Sequence, residues 1–296
     1  MPGTKEIRRR LISVRNTKKI TYAMKLVSAA KLRRAQESVT RAREYTTGLQ
    51  RVLASVQSEA VTLDFVHPLM QQREVKRVAL VVIGGSRGLC GSYNSNVHRK
   101  AAAFLQEWDK KVGESNVALL LLGKKPGEFF RRVRRPIRES WDALPEDATK
   151  WPIDEVVEKI EIPFLNQEFD EVYVLFTEFR SAISQVARLE KLLPLDANAL
   201  NAAGSTSASP EGNTLFEPSA EEVFSALVPR MVRAKLRQAA LDAKASEHGA
   251  RMTSMENATK NAGELGRKLE LLYNKLRQGG ITAELLDIVG GAEAMK

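Results

Sequence analysis

The arrangement of apolar positions divides the chain into three kinds of stretch. Ser28, Leu32, Ala35, Val39, Ala42, Thr46, Leu49, Leu53, Val56 and Ala60 follow one another at alternating spacings of three and four residues. Most are apolar or small, and such a heptad seam predicts one long helix packed on another. Carried backwards, the register reaches Val14, Leu11 and Ile7. Between these it lands on Lys25, Thr21 and Lys18, while the apolar residues there are Ile20, Met24 and Val27. A seam that turns polar in its middle has either drifted around the helix or faces a different surface. The C-terminal stretch repeats the pattern through Met255, Ala258, Ala262, Leu265, Leu269, Leu272, Leu276, Gly279, Ala283 and Leu286. Helices of this length do not persist alone in water. The two are expected to pair, antiparallel if a compact domain returns the chain from one to the other.

The middle of the chain is patterned differently. Val78–Ile83, Val117–Leu122 and Val172–Phe176 are short unbroken apolar runs, as strands buried on both faces would be. Between them lie helical stretches, "NSNVHRKAAAFLQEW" and "GKKPGEFFRRV". Strand–helix–strand alternation predicts a small α/β domain. The stretch from Asp196 to Asn213, rich in Ala, Ser, Gly and Asn, reads as a surface loop. The expected organisation is a long helix over 1–62, an α/β domain over 75–195, a loop over 196–218 and a second long helix over 219–296. The expected fold class is α/β, with a long antiparallel coiled coil of the N- and C-terminal helices and a central Rossmann-like domain.

Charge adds a polarity to this picture. The net charge is +10, and residues 1–50 carry all of it, with 13 Lys/Arg against 3 Asp/Glu. A basic segment of this kind is either a solvated helix face or a surface for an acidic partner, whether nucleic acid, membrane or protein. An RNA-binding protein with a basic helical arm is the alternative this suggests. Against it, Tyr22 and Tyr45 are the only aromatics among the first fifty residues, so base stacking has little to work with. Aromatics make up only 6% of the chain, which favours helix packing through Leu, Ala and Met. No apolar run approaches the ~18 residues of a membrane span. The start, "MPGTKEIRRR", has no apolar core of a secretory signal. Its helical pattern continues without a break, as expected of a mature N-terminus.

Candidate chemistry is sparse. "GGSRGLCGSYN", Gly84 to Asn94, follows a strand and invites comparison with a phosphate loop. Its glycines do not fall as Gly-x-Gly-x-x-Gly, and the chain has no Gly-x-x-x-x-Gly-Lys-Ser/Thr, so a structural turn is the favoured reading. His67, His98 and His248 lie far apart, and the single cysteine, Cys90, leaves neither a metal-ligand cluster nor an internal disulfide. Cys90 and His98 could be made into a nucleophile pair, but nothing around them suggests activation. No cofactor is expected.

Three segments carry a resemblance. "ITYAMKLVSAAKLRRAQ" (Ile20–Gln36), "ASEHGARMTSMENATKNAGEL" (Ala245–Leu265) and "LLYNKLRQGGITAELLDIVGGAEAM" (Leu271–Met295) resemble the two helices of the gamma subunit family of F-type ATP synthases. The central "GLCGSYN" is similar to that family's first βα turn. The resemblance covers essentially the whole chain. It implies a non-catalytic rotor shaft, with paired terminal helices inside a ring of alternating alpha and beta subunits. The α/β domain would sit on the ring of c subunits beside epsilon. It implies no nucleic acid, no nucleotide bound by this chain, and a peripheral place on the cytoplasmic face of the bacterial inner membrane.

By position, the resemblance also marks Met24, Arg251, Arg277, Gln278, Thr282 and Asp287 as residues of coupling and of contact with beta. Asp287 stands where the family usually has Glu, Gly279-Gly280 where it has Ala or Ser, and Ser86 where Asp is common. Each Gly costs a helix interior ~1 kcal/mol relative to Ala, which bears on the stiffness of the shaft.

Overall fold

The computed structural model describes residues 4–60, 66–196, 217 and 219–294. The expected loop over 196–218 lies outside the described residues except at positions 196 and 217. Two helices dominate, α1 over Thr4–Ala60 and a C-terminal helix over Ala220–Ala294. Two compact units emerge, Ala30–Ala250 and the combination of Met1–Ala29 with Arg251–Lys296, so the division falls within both helices.

The larger unit contains a five-stranded sheet. In chain order its elements are β1 (Val78–Ile83), α2 (Tyr93–Val112), β2 (Val117–Leu122), α3 (Lys124–Arg132), β3 (Glu139–Trp141), α4 (Ile153–Leu165), β4 (Glu171–Phe179) and β5 (Gln185–Leu193). The C-terminal helix is then α5. The strands lie in the order β3-β2-β1-β4-β5. The first four are parallel and β5 is antiparallel to β4. Every residue of β1 is buried, as helices on both faces of a parallel sheet require. Val78, Leu80, Val82, Leu119 and Leu121 meet Val97, Ala101, Phe104 and Leu105 of α2 and Phe130 of α3 on one face. The apolar runs at 78–83 and 117–122 coincide with β1 and β2, and the run at 172–176 lies within β4. Two edge strands, β3 and β5, had no such run to announce them. β3 is only half-buried, and β5 alternates between partly covered and exposed positions over most of its length, so neither needs a continuous apolar sequence.

Within this unit α1 keeps the expected seam, with Leu32, Val39, Thr46, Leu49, Leu53 and Val56 all buried.

The smaller unit is an antiparallel helix pair. Arg15 Nη2 lies 2.9 Å from Glu270 and Lys25 Nζ 2.6 Å from Glu256, so rising numbers on α1 meet falling numbers on α5. The polar part of the α1 seam does not drift. Thr21 and Ser28 are buried, whereas Ile20 and Val27 are more than half exposed. Thr259 Oγ1 stands 2.8 Å from Thr21 Oγ1, a hydroxyl pair in the middle of the seam.

On α5 the register differs from the expected one. From 258 to 276 the covered positions are Ala258, Thr259, Ala262, Gly263, Gly266, Leu269, Tyr273 and Leu276. Leu265 and Leu272 stand 48% and 42% exposed. Leu269 and Leu276 keep their expected places, while Gly266 and Tyr273 stand in for Leu265 and Leu272, and a Cβ at Gly266 would come 3.8 Å from Val14 Cγ1. A helix with small residues at 262 and 266 can bring its backbone close to its neighbour there, and the leucines are left at the flank.

Candidate functional site

The six residues singled out by resemblance are not gathered into one place. Met24 is half-buried on α1, and Arg251 is buried on α5. Arg277, Gln278, Thr282 and Asp287 lie in a stretch of α5, Arg277 to Gly291, in which every residue is exposed. Thr282 Oγ1 donates to Gln278 O at 3.0 Å, a helix-internal bond that leaves the rest of its surface open. Ile281, Leu285, Leu286, Ile288 and Val289 of this stretch are apolar and between 48% and 68% exposed.

The glycine turn after β1 is spent on packing. A Cβ at Gly84 would lie 2.4 Å from Pro126 Cγ, so only glycine fits. The Gly85 N–H donates to Asn94 Oδ1 at 3.0 Å, and is therefore not offered to an anion. Cys90 is buried, with Asn94 Nδ2 3.3 Å from its sulfur. His98 stacks on Phe129 with ring centroids 4.4 Å apart. Burial first, and then Lys125, push its pKa down and favour the neutral imidazole. Thiol and imidazole are thus each committed to local packing. Among the described residues no group of three or more His, Cys, Asp or Glu could hold a metal ion.

A doubly wound sheet takes ligands at the carboxyl ends of its strands, where the strand order reverses. Here that point lies between β1 and β4. The occupant at the β4 side is α5 itself. Tyr93 Oη, at the start of α2, donates to Ala243 O at 3.0 Å. Ser246 Oγ donates to Thr177 O at 2.9 Å, and the Phe179 N–H points to Asp242 Oδ1 at 3.4 Å. Residues Leu241 to Gly249 are all buried. Nine residues make two and a half turns at 3.6 per turn, so the helix is buried around its whole circumference there.

Several of these buried residues are charged, and such groups must be paired. Arg43 Nη2 on α1 lies 3.3 Å from Asp242 Oδ1. Burial outweighs Arg43 and raises the Asp242 carboxyl to about 6. Glu146, on the loop after β3, receives Lys31 Nζ at 2.7 Å, with Lys244 Nζ at 3.6 Å and His248 Nε2 at 3.8 Å. Burial opposes ionisation of Glu146, but the Lys31 hydrogen bond and the charges of Lys244 and Lys31 win and hold it at about 2. Glu146, Lys31, Lys244 and His248 line an open cavity of about 470 Å³ together with Arg34 and Arg41. Sequence reasoning missed Asp242, Glu146, Lys244 and His248. The trace of Asp242, Lys244 and His248 is "LDAKASEHG", a helical stretch without an apolar stripe, which reads equally well as solvent-exposed, and Glu146 left none.

The basic segment is partly answered inside the chain. Arg15, Lys25, Lys31 and Arg43 pair with Glu270, Glu256, Glu146 and Asp242. Nothing in this arrangement favours RNA.

Comparison with known proteins agrees with the geometry. A family described as ATP synthase matches residues 3–295. The chain is 42% identical to the ATP synthase gamma chain of Heliobacterium modesticaldum and 40% identical to that of Trichormus variabilis, covering the full length of both partners in each case. The fold is similar to a chain of the Euglena gracilis mitochondrial ATP synthase (OSCP/F1/c-ring), with TM-score 0.64 at 20% identity, covering 99% of this chain and 94% of that one. It is also similar to a central stalk/c-ring chain from Tetrahymena thermophila, with TM-score 0.61 at 23% identity, covering 81% of this chain and 99% of that one. A match along the whole length of this chain and of these relatives leaves no part of the chain outside the comparison: it belongs to the ATP synthase family, among the gamma chains.

Proposed function

We propose that this chain is the central rotor shaft of an F-type ATP synthase, coupling proton translocation in the membrane sector to ATP synthesis and hydrolysis on beta subunits. The observation that carries the reading is the pairing of family membership with a helix pair whose middle is polar. Thr21–Thr259, Lys25–Glu256 and Arg15–Glu270 hold two helices together while apolar residues such as Ile20 and Val27 face outwards. A shaft that passes several conformations of its neighbours needs outward contacts without fixed direction, and exposed apolar side chains such as Ile20 and Val27 offer contacts of that kind.

In this reading the chain carries no catalytic group and binds no nucleotide. Gly85 and the end of β4 are already bonded within the chain, which supports it. Met24 and Arg251 then belong to the part that meets beta, and Arg277, Gln278, Thr282 and Asp287 to the exposed end of α5. The partners are alpha and beta, epsilon and the c-ring. No described helix is long and apolar enough to cross a membrane, and the expected place is peripheral, on the cytoplasmic face of the bacterial inner membrane. The test is reconstitution with alpha and beta. The chain alone should show no nucleotide turnover and should complete an active hexamer. Sustained ATPase activity of the chain alone, or failure to assemble, would refute the reading.

A further inference from the structure

A shaft helix needs one apolar stripe against its partner, yet α5 is enclosed on every side from Leu241 to Gly249. The enclosure comes from four places. α1 supplies Lys31 and Arg43, the loop after β3 supplies Glu146, α2 supplies Tyr93, and β4 supplies Thr177 and Phe179. Gly249 allows a further close approach, since a Cβ there would lie 3.3 Å from Gln185 Nε2 and 3.5 Å from Ala182 O.

The kind of contact matters more than its extent. An apolar helix in an apolar socket is held by forces without direction, so turning it costs little while area stays buried. Hydrogen bonds weaken steeply when their angles are lost. Here the helix is bonded through Ala243 O, Ser246 Oγ and the Asp242 carboxylate, all aimed at fixed points of the sheet unit. Glu146 ties both helices to the same loop, through Lys31 on α1 and through Lys244 and His248 on α5.

We propose that residues 241–249 form a rotational lock, a collar through which the α/β domain passes torque to the helix pair, with Glu146 and Asp242 as its positioning residues. The proposal rests on the rotor reading. It also gives a role to the carboxylate at 242, which burial disfavours in its charged form. The carboxylate meets Arg43 and the Phe179 N–H together, and so specifies an orientation that an apolar side chain of similar volume would not.

The experiment uses the whole complex in membrane vesicles, carrying Glu146→Gln with Asp242→Asn, and divides the rate of proton pumping by the rate of ATP hydrolysis. The detached complex, whose rotor turns without load, gives the reference hydrolysis rate. The pumping-to-hydrolysis ratio should fall at least about twofold in the double variant, and more against an imposed proton gradient than without one. Glu146→Asp, which keeps the charge, should restore part of the ratio relative to Glu146→Gln. An unchanged ratio under load overturns the collar. If the double variant does not assemble, Glu146→Gln alone carries the test, because its side chain is 40% exposed and its loss leaves no closed cavity. Failure of the unmodified chain to complete an active complex would instead refute the rotor reading, and the inference with it.

Discussion

Two stretches of the same helix make opposite use of polar residues. Between Leu241 and Gly249, α5 buries Asp242, Lys244, Ser246, Glu247 and His248. Between Arg277 and Gly291 it exposes every residue, including Ile281, Leu285 and Ile288. In the first, polar atoms have fixed partners from the sheet unit, and each bond specifies an angle. In the second, apolar side chains are left uncovered within this chain. The difference teaches that neither hydropathy nor helix propensity decides burial along a helix that serves as a shaft. The partners at each level decide it.

The comparison breaks most readily at Ser246. Ser246→Leu adds volume at a site with no exposure and orphans the Thr177 carbonyl, so a loss of about 3–4 kcal/mol in unfolding free energy is expected. Thr282→Leu, the same kind of change in the exposed stretch, should stay within about 0.5 kcal/mol. Chemical denaturation of the two variants checks both, and similar losses would erase the contrast.

Asp242 sharpens it next. Its carboxyl goes from 3.8 to about 6 on folding, so the folded chain holds this proton more tightly than the unfolded chain. The stability this contributes is complete below about pH 4 and lost as pH rises through 6. Asp242→Asn should therefore gain most over the unmodified chain near pH 7.5, by up to about 3 kcal/mol, with the advantage shrinking towards pH 4. Denaturation curves at the two ends of that range measure the difference. A variant that is more stable yet couples less well would be the usual exchange between stability and function.

Gly279 and Gly280 probe the open stretch. A Cβ at either meets nothing within 4 Å, so Ala at each should stiffen the helix by about 0.5–1 kcal/mol without a clash. Slower amide exchange confined to residues near 279–285 is the expected signature, and unchanged exchange would mean the helix end is already rigid. The smallest effect is expected at the Lys25–Glu256 pair, with side chains 29% and 55% exposed. Glu256→Ala should cost below about 1 kcal/mol, and less at high salt than at low; thermal melts at two ionic strengths follow it.

Much of the fold was legible from residue pattern. The runs Val78–Ile83 and Val117–Leu122 are strands because only a sheet covered on both faces makes an unbroken six-residue apolar run favourable. Leu32, Val39, Leu49 and Leu53 mark a helix seam because seven residues return a side chain to nearly the same face. The family, too, could be read from motifs spread along the chain. The α5 register could not, since Leu265 outranks Gly266 on any hydropathy scale while close helix approach favours the glycine. Nor could the pairing of Glu146 with Lys31, Lys244 and His248, residues about a hundred or more positions from it. The sequence by itself determined the two long helices and the buried strands β1, β2 and β4, because periodicity is a local property of side chains on one backbone. Only the tertiary structure decided which polar residues are buried. That depends on whether a donor or acceptor from a distant segment arrives to replace water, and no local pattern records its arrival.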